Sequence, residues 1–449
     1  MVTFFHNIEE NTPLGFIEEL MCIEKKYDIQ VTYNIALELF IKQPQLIKRL
    51  FEAGHEISFY LDGNVPIPDL QKSLSKIKTG KNISSIPVGF HSPESEYDNE
   101  PFEVFWRSGF LLNAEVDEHT EPYFIYKGLV RLPIAFDTRS AQRNKINLEK
   151  WVQKFSSFLD NRKYFGYGLH DDFFNHRKYP DAYKSIIKLA VKQNVLIVTF
   201  SQAADLFRRS NLAHYYSITA NDWNKRTRVL YRTRRFQELI RNEVVKLKAP
   251  IIADLGSGGG VLSSSLRDVA AKIYFIDNAN GMIGDIQTGS SVQPILGEVT
   301  ATTLPDNSAD FIICARVIEY MYYPDLVANE IKRIGKLGAK FIVTFPAYIN
   351  NGPSNIGNNT PDKIRKHFSC EEILEWTNQI GSGRLIGIQY KQAEPQNVNE
   401  EKKYRQIEEE QPQTLIPTNW VFIGTIEKKK FKRTNFRSIP VNMFRFNLR

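Results

Sequence analysis

The 449-residue sequence has few cysteines and no long apolar run. Its three cysteines, Cys22, Cys314 and Cys370, lie far apart, which argues against a disulfide framework or a cysteine zinc site. No uninterrupted apolar stretch approaches the roughly 18 to 20 residues of a membrane span. The N-terminal residues lack the basic and apolar regions of a signal peptide. We therefore expect a cytoplasmic protein without a transmembrane segment.

Acidic residues are absent from one segment, residues 428–449, which contains eight basic residues and four phenylalanines. The net charge of the whole chain is +7, so the rest of the chain is nearly neutral. This composition suits contact with an anionic surface, such as the inner face of a membrane, an acidic glycan or a partner. It equally suits a solvated terminus or a segment that packs on its own domain. No recognition motif for nucleic acid accompanies the charge, so we expect no nucleic-acid partner.

The glycine-rich stretch IIADLGSGGG does not match the two commonest nucleotide-binding loops. Val261 stands where the third glycine of a dinucleotide fingerprint would lie, and no lysine follows as in a phosphate-binding loop. An apolar run, an acidic residue, alternate glycines and then VLSSSLRDV predict a strand, a tight turn and a helix. Such a turn lets backbone N–H groups approach a cofactor. The acidic residue and the alternate glycines are Asp254, Gly256, Gly258 and Gly260.

Two acidic residues follow at the ends of the next predicted strands. Asp277 ends KIYFID, 21 positions after Gly256, where a carboxylate can accept hydrogen bonds from both hydroxyls of a ribose. Glu298 ends the strand PILGEV and is placed to face an adenine. The alternation of strands and helices that continues to residue 345 predicts a doubly wound α/β sheet.

These motifs resemble class I S-adenosylmethionine-dependent methyltransferases, and the resemblance covers roughly residues 223–428. It implies a doubly wound seven-stranded sheet and S-adenosylmethionine as cofactor. Methyl transfer is an in-line displacement that needs alignment and, for a hydroxyl acceptor, a base. The sequence does not choose among three candidates for that base or for acceptor contact. Those three are Glu319, Tyr348 and His367, and the cofactor-binding residues implied are Asp254, Gly256, Gly258, Gly260, Asp277, Asn278 and Glu298.

The first half of the chain repeats strand-then-helix units of about 25 to 35 residues, which predicts a barrel-like α/β domain. Within this half we predict a strand at the N-terminus and a helix over residues 34–53. The phrases TFFHN, GHEI, GFHSPES and GLHDD then resemble, in order, motifs of the polysaccharide deacetylase family. That resemblance implies a distorted (β/α) barrel.

The metal ligands that this family requires are missing. Deacetylation needs a metal held by one aspartate and two histidines, with a second aspartate as base. The matching positions are Phe5 and His6 for the acids, and Tyr60 and Asn64 for the histidines. The barrel is therefore predicted to bind a sugar or to serve as a structural module. An alternative metal site of three imidazoles remains open, formed by His6, His91 and His170.

The domain boundaries predicted are 1–210 for the barrel, 211–222 for a joining segment, 223–427 for the methyltransferase domain and 428–449 for a basic tail. Residues 226–235 contain five arginines that could clamp an anionic acceptor, although a solvated helix face is the simpler interpretation.

The leading hypothesis is a methyltransferase that acts on a saccharide-containing small molecule or a lipid-linked glycan, in glycan or cell-envelope biosynthesis. The barrel would then recognise the glycan or serve as a structural module. The acceptor class rests only on the fusion of the two domains. Two alternatives stay open: a bifunctional deacetylase and methyltransferase with a rebuilt metal site, and a non-catalytic scaffold.

Overall fold

The computed structural model describes residues 1–61, 89–91, 102–103, 105–106, 110–169, 178–347 and 367–427. The chain divides into two compact units, of which the first covers Met1–Arg208 and the second begins at Arg209. Tyr348, His170 and the basic segment 428–449 lie outside the described residues. Within the described ranges, no helix is long and apolar enough to cross a membrane.

The first unit is built on eight strands. They are β1 (Val2–Ile8), β2 (Thr32–Ala36), β3 (Glu56–Tyr60), β4 (Gly89–His91), β5 (Leu112–Val116), β6 (Tyr123–Tyr126), β7 (Leu129–Asp137) and β8 (Phe165–Leu169). Seven of them run parallel in the order β5-β4-β3-β2-β1-β8-β7, and β5 also pairs with β7, which closes the ring. β6 lies antiparallel on β7. The predicted α/β barrel is confirmed as a closed parallel barrel.

Helices cover the outside of this barrel. These outer helices are α1 (Leu14–Lys26), α2 (Leu37–Lys42), α3 (Pro44–Glu52), α4 (Thr138–Arg143), α5 (Leu148–Asn161) and α6 (Tyr179–Lys192). A further helix, α7 (Phe200–Val229), begins beside the inward-facing ring of Phe5, against which Phe200 packs at a centroid distance of 5.5 Å. Successive strand residues point to opposite faces. The ring of Phe4 packs against Phe155 of α5 and Tyr183 of α6, each at a centroid distance of 5.7 Å. Phe4 and His6 therefore face the helices, and Phe5 and Asn7 face the barrel interior.

The helix predicted over residues 34–53 is wrong. Residues 32–36 form β2, and two short helices follow with a break at Gln43. Proline disfavours helical backbone in the residue before it and cannot donate a hydrogen bond, so Pro44 ends one helix and begins the next. The start of the segment is a strand because Tyr33 and Ile35 are fully buried between β1 and β3.

A buried carboxylate organises the packing of α1 on the barrel. Glu24 is fully buried and accepts hydrogen bonds from the hydroxyls of Tyr33, at 2.7 Å, and Tyr183, at 3.0 Å. His6 Nε2 lies 2.7 Å from the same carboxylate, and His55 Nε2 lies 3.5 Å away. A buried charge costs several kcal/mol unless it is paired and hydrogen-bonded. These partners allow Glu24 to remain in the core.

Removal of this carboxylate should destabilise the barrel strongly. In Glu24→Ala the two tyrosine hydroxyls and His6 lose their shared partner, and we expect a loss of about 3 to 5 kcal/mol of unfolding free energy. Glu18→Ala is the matched control, since Glu18 lies on the same helix in an exposed pair with Arg49. Urea unfolding followed by circular dichroism should separate the two variants, and equal stabilities would contradict this role of Glu24.

The second unit contains one seven-stranded sheet. Its strands are β9 (Ile251–Leu255), β10 (Lys272–Asp277), β11 (Val292–Leu296), β12 (Ala309–Ala315), β13 (Gly335–Pro346), β14 (Gly381–Ile388) and β15 (Asn419–Ile426). The order is β11-β10-β9-β12-β13-β15-β14, and β15 runs antiparallel to both of its neighbours. The other pairings are parallel. The predicted seven-stranded sheet is confirmed.

Apolar residues on both faces of this sheet are covered, as in a doubly wound fold. Ile252 packs in one cluster with Phe236 of the helix before β9, whereas Leu255 packs in another with Val327 and Trp376. The helices of this unit are α8 (Tyr231–Val244), α9 (Asn280–Ile283), α10 (Pro324–Ile334), α11 (Cys370–Asn378) and α12 (Val398–Glu410).

The segment predicted to join two domains, residues 211–222, is helical throughout. It lies within α7, whose residues from Arg209 onward belong to the second unit. The helical run is interrupted at Leu230, which is extended, and α8 begins at Tyr231. The break is stabilised because the first backbone N–H of α8, on Tyr231, donates to the Glu394 carboxylate at 2.7 Å.

Candidate functional site

A pocket lies at the carboxyl ends of β9, β10, β11 and β12. In the sheet β9 lies between β10 and β12. The chain continues from β9 toward β10 on one side and from β12 toward β13 on the other, so the connections after β9 and β12 run in opposite directions. Loops diverge at such a switch point and leave a crevice in which α/β proteins bind ligands. The lining comes from the glycine turn, from the strand ends and from α7 and α8.

The glycine turn has the backbone that its sequence predicts. Gly256, Gly258 and Gly260 have φ values of 69°, 53° and 70°, in the left-handed region that favours glycine. A Cβ on Gly256 would lie 2.2 Å from a methyl carbon of Val317. Gly256 and Gly258 line the pocket directly, whereas Gly260 shapes the turn behind it, against the ring of Phe275.

The helix predicted to follow the turn is wrong. The segment after Gly260 consists of turns with one 3-10 helix, Ser264–Leu266. Serine hydroxyls compete with the backbone for hydrogen bonds. Ser264 donates to the carbonyl of Gly260 at 2.6 Å, and Ser265 donates to that of Leu262 at 3.3 Å. The pocket is therefore shaped by the glycine turn and has no long helix N-terminus pointing at it.

Asp254 lies beneath the turn. It is buried, it lines the pocket, and its carboxylate accepts a hydrogen bond from the Ser263 hydroxyl. Burial raises the pKa of Asp254 to about 7. This arrangement ties the end of β9 to the segment after the glycines.

Asp277 is held by backbone groups on both of its oxygens. Gly258 N–H donates to Oδ2 and Ala279 N–H to Oδ1, each at 2.8 Å. A carboxylate has about four acceptor positions, so these bonds fix its orientation and leave capacity for two hydroxyl donors. Burial, and then the nearby charge of Glu298, raise the pKa of Asp277. Asn278 and Met282 line the pocket beside it.

Glu298 lies just beyond β11, where the sequence places it, and is paired with an arginine. Nη1 of Arg209 lies 2.9 Å from Oε2 of Glu298, and both side chains line the pocket. Arg209 was not among the residues predicted for this site, because residues 1–210 were assigned to the barrel.

Helix α7 forms one wall of the pocket, and this wall was not predicted from the sequence either. Its lining residues recur every three, four or seven positions, which is one face of a helix. Tyr216 donates its hydroxyl proton to the hydroxyl oxygen of Tyr320 at 3.0 Å, and burial raises the pKa of Tyr216 far above its usual value. The α7 side chains on this face are Arg209, Leu212, Tyr216, Trp223, Asn224 and Thr227. Apolar residues do not recur with helical spacing along α7, so the sequence contains no clear signal for this wall.

The three candidates for a base or for acceptor contact are not brought together. Glu319 is 1% exposed and pairs with Arg316 at 3.2 Å; Arg316 lines the pocket and Glu319 does not. His367 is exposed beside Phe368, which bridges to Ala347 just beyond β13. Tyr348 lies outside the described residues.

The arginines within residues 226–235 have several roles. Arg234 pairs with Glu401 at 2.8 Å and Arg235 pairs with Glu408 at 2.7 Å, so both brace α8 against α12. Arg226 packs over the ring of Trp223. Arg232 lines the pocket. Of the predicted anion clamp, the structure therefore places Arg232 at the site.

The barrel histidines considered for a metal site do not converge. His6 faces the helices and bonds Glu24, whereas His91 packs against Phe5 on the inner face at a centroid distance of 5.4 Å. Neighbouring strand residues point to opposite faces, so the barrel wall separates them. His170 lies outside the described residues, and within those residues no group of three potential ligands is placed to hold a metal.

The inner face of the barrel carries buried polar side chains. Asn7, Asn34 and Ser58 face inward in one row of paired residues, and His91 follows on β4. Nδ2 of Asn7 and Oδ1 of Asn34 have no hydrogen-bond partner in the described part of the chain, and neither do Oγ of Ser58 and Nε2 of His91. Unsatisfied buried polar atoms are rare in folded proteins, and each calls for a partner such as water or a ligand.

Residues 253–343 match the family model described as a methyltransferase domain. One chain of the complex between the Haloferax volcanii Trm112 methyltransferase activator and a methyltransferase is 16% identical, with a TM-score of 0.35 over 47% of this chain and 97% of that one. A Thermotoga maritima S-adenosylmethionine-dependent methyltransferase is 18% identical, with a TM-score of 0.35 over 47% of this chain and 98% of that one.

A further solved structure is similar to part of the chain. A Mycobacterium smegmatis protein described as a polysaccharide deacetylase is 18% identical, with a TM-score of 0.39 over 45% of this chain and 88% of that one. The family match shows that the second unit contains a methyltransferase domain.

Asp254 should make stability depend on pH. Its pKa is about 7 in the folded protein, against 3.8 for an unperturbed aspartate. It therefore favours the folded state most at low pH, and this contribution is lost as the pH rises through about 7. Asp254→Asn retains an acceptor for Ser263 and should reduce the loss of stability between about pH 5 and pH 8 by about 1 to 2 kcal/mol. Calorimetric unfolding at both pH values tests this, and an unchanged pH dependence would contradict it.

Proposed function

We propose that the second unit binds S-adenosylmethionine in the switch-point pocket and transfers its methyl group to a saccharide-containing acceptor. The main support for the cofactor site is the position of Asp277 at the end of β10, where two backbone N–H groups fix the orientation of its carboxylate. Its remaining acceptor capacity suits the two hydroxyls of a ribose.

The residues present fit this cofactor along the pocket. Gly256 and Gly258 allow close approach of a ligand to the backbone, and Asn278 and Met282 lie beside Asp277. Glu298 provides an acceptor for the amino group of adenine. When bound, the cofactor would supply a methyl group on a positively charged sulfur. Asp254 and Gly260 shape the turn that this binding requires.

The protein contributes mainly alignment to such a reaction. Tyr216, Trp223 and Tyr320 line the pocket as one aromatic cluster, in which the ring of Tyr216 packs against the other two. Aromatic rings bury the apolar faces of sugar rings, and a hydroxyl such as that of Tyr320 can orient an acceptor oxygen. In this account Glu319 acts through Arg316, and Tyr348 and His367 stay candidates for acceptor contact from beyond β13.

We further propose that the barrel recognises the glycan part of the acceptor. The four unsatisfied polar atoms on its inner face suit a neutral polar ligand such as a sugar. The deacetylase motifs of the sequence point to the same class of ligand. Deacetylase activity is not proposed, because His6 and His91 lie on opposite faces of the barrel wall.

Loss of the Asp277 carboxylate should abolish cofactor binding. Isothermal titration with S-adenosylhomocysteine should show affinity for the wild type and a loss of at least about tenfold in Asp277→Ala, because a carboxylate that accepts from two hydroxyls is removed. Asp285→Ala is the control, since this aspartate is exposed in the same unit and does not line the pocket. Absence of binding by the wild type would end the proposed function.

The acceptor class is tested with labelled S-adenosylmethionine and a panel of nucleotide sugars, lipid-linked glycans and non-saccharide acceptors. We expect label only in saccharide acceptors, and a rise of about tenfold in the KM for the acceptor in Tyr216→Ala, because ring packing on the acceptor is lost. Tyr215→Ala is the neighbouring control, since Tyr215 does not line the pocket. Labelling confined to non-saccharide acceptors would refute the saccharide assignment and leave the cofactor site standing.

A further inference from the structure

Arg316 follows β12 at the carboxyl edge of the seven-stranded sheet and lines the pocket. Its φ is 64°, a left-handed backbone that residues other than glycine seldom adopt. The N–H of Arg316 donates to Oγ1 of Thr344 at 3.0 Å, and Thr344 is fully buried on β13. Such a backbone persists only where the surrounding structure fixes it, and it is concentrated at functional sites.

The guanidinium of Arg316 is held by two buried side chains. Nε lies 3.2 Å from Oε1 of Glu319, and Nη1 donates to Oδ1 of Asn419 at 3.2 Å. Glu319 and Asn419 are 1% and 2% exposed, whereas the side chain of Arg316 is 16% exposed. The two partners therefore fix the orientation of a group that stays positively charged in proteins.

The order of the sheet separates Arg316 from the residues proposed to bind adenosine. Asp277 ends β10 and Glu298 lies beyond β11, on one side of β9, whereas Arg316 follows β12 on the other side. The contacts of Arg316 lead farther from β9, since Thr344 lies on β13 and Asn419 begins β15. Arg316 therefore lies on the side of the pocket away from the proposed adenosine site.

The aromatic cluster that the proposed function assigns to the acceptor lies within electrostatic reach of Arg316. Burial, and then Tyr320, raise the pKa of Tyr216, and the positive charge of Arg316 opposes this rise. Tyr320 also follows β12 and lines the pocket. A fixed positive charge beside this cluster suits an acceptor that carries a negative charge.

We propose that Arg316 binds an oxyanion on the methyl acceptor, so that the acceptor is an acidic or phosphorylated saccharide. The planar guanidinium matches the geometry of carboxylate and phosphate groups alike. A neutral saccharide would displace water from Arg316 and give it no charge-assisted hydrogen bond in return. This inference rests on the proposed function, because it names the substrate class of the same pocket.

Two other roles for Arg316 are distinguished from this one by experiment. As a brace, Arg316 would only join β12 to β15, and its removal would lower stability without changing the selectivity among ligands. As a cofactor contact, it would bind the carboxylate of the cofactor, and its removal would weaken binding of S-adenosylhomocysteine. Only the acceptor role predicts a changed preference between anionic and neutral saccharides.

The experiment uses three sugars that differ only at carbon 6: glucose, glucuronate and glucose 6-phosphate. Each is titrated calorimetrically into the full chain saturated with S-adenosylhomocysteine, so that no methyl transfer occurs. The wild type should bind at least one anionic sugar about tenfold or more tighter than glucose, because a charge-assisted pair replaces a neutral contact. The anionic sugar that binds more tightly identifies the oxyanion as a carboxylate or a phosphate.

Arg316→Met should reduce this preference to about twofold or less and leave the affinity for S-adenosylhomocysteine unchanged. Arg316→Lys keeps the charge without the planar fork and should retain part of the preference. Arg384→Met is the matched control, because Arg384 also pairs with a glutamate, Glu243, and does not line the pocket. It should leave the preference unchanged. If Arg316→Met does not fold, Arg316→Gln carries the test, since its amide still donates to Asn419 without a charge.

Three results would overturn the inference and leave the cofactor site standing. They are a wild type that binds glucose as tightly as both anionic sugars, a wild type that binds none of the three sugars, and an uncharged Arg316 variant with the wild-type preference. Loss of S-adenosylhomocysteine binding in that variant would assign Arg316 to the cofactor and overturn the inference as well. A wild type that does not bind S-adenosylhomocysteine would refute the proposed function itself, so the failures are distinguishable.

Discussion

The pocket of the second unit depends on how three buried carboxylates are compensated at the ends of adjacent strands. Each would cost several kcal/mol if it were left without partners in the interior. Asp254 accepts from a serine hydroxyl, Asp277 accepts from two backbone N–H groups, and Glu298 pairs with an arginine. The partners come from the glycine turn, the segment after it and α7. The need to pair or hydrogen-bond these carboxylates therefore determines the path of the chain around the site.

The glycine turn and its carboxylates form one unit. Gly258 has a positive φ, and its N–H is the donor that orients Asp277. Ser263 lies in the turn-rich segment that replaces the expected helix, and its hydroxyl reaches Asp254. A helix beginning at the glycines would direct the chain differently. The loss of the helix is thus connected with the way Asp254 is held beneath the turn.

The parts that the sequence predicts well are those set by local chemistry. Alternate glycines after a buried strand determine the turn, and acidic residues at strand ends determine where Asp277 and Glu298 lie. Strand and helix alternation predicts both sheets, although the last three residues of β2 were assigned to a helix. That error arose because Tyr33 and Ile35 lie in an apolar run that fits either structure, and the burial that decides between them is tertiary.

The parts that the sequence does not predict come from distant segments. Arg209 and Tyr216 lie on α7, which shows little apolar periodicity, and their partners, Glu298 and Tyr320, are about a hundred positions away. The pairing of His6 with Glu24 likewise depends on which face of β1 the His6 side chain occupies. A one-residue change of register would reverse that direction, and motif spacing alone does not fix the register.

The most direct measurement is a crystal structure of the full chain with S-adenosylhomocysteine. The account predicts the ribose hydroxyls on the Asp277 carboxylate, the adenine amino group within hydrogen-bond distance of Glu298, and the sulfur facing the wall that contains Tyr216 and Tyr320. A nucleoside bound elsewhere on the protein, or adenosine lying in the pocket without contact to Asp277, would contradict it.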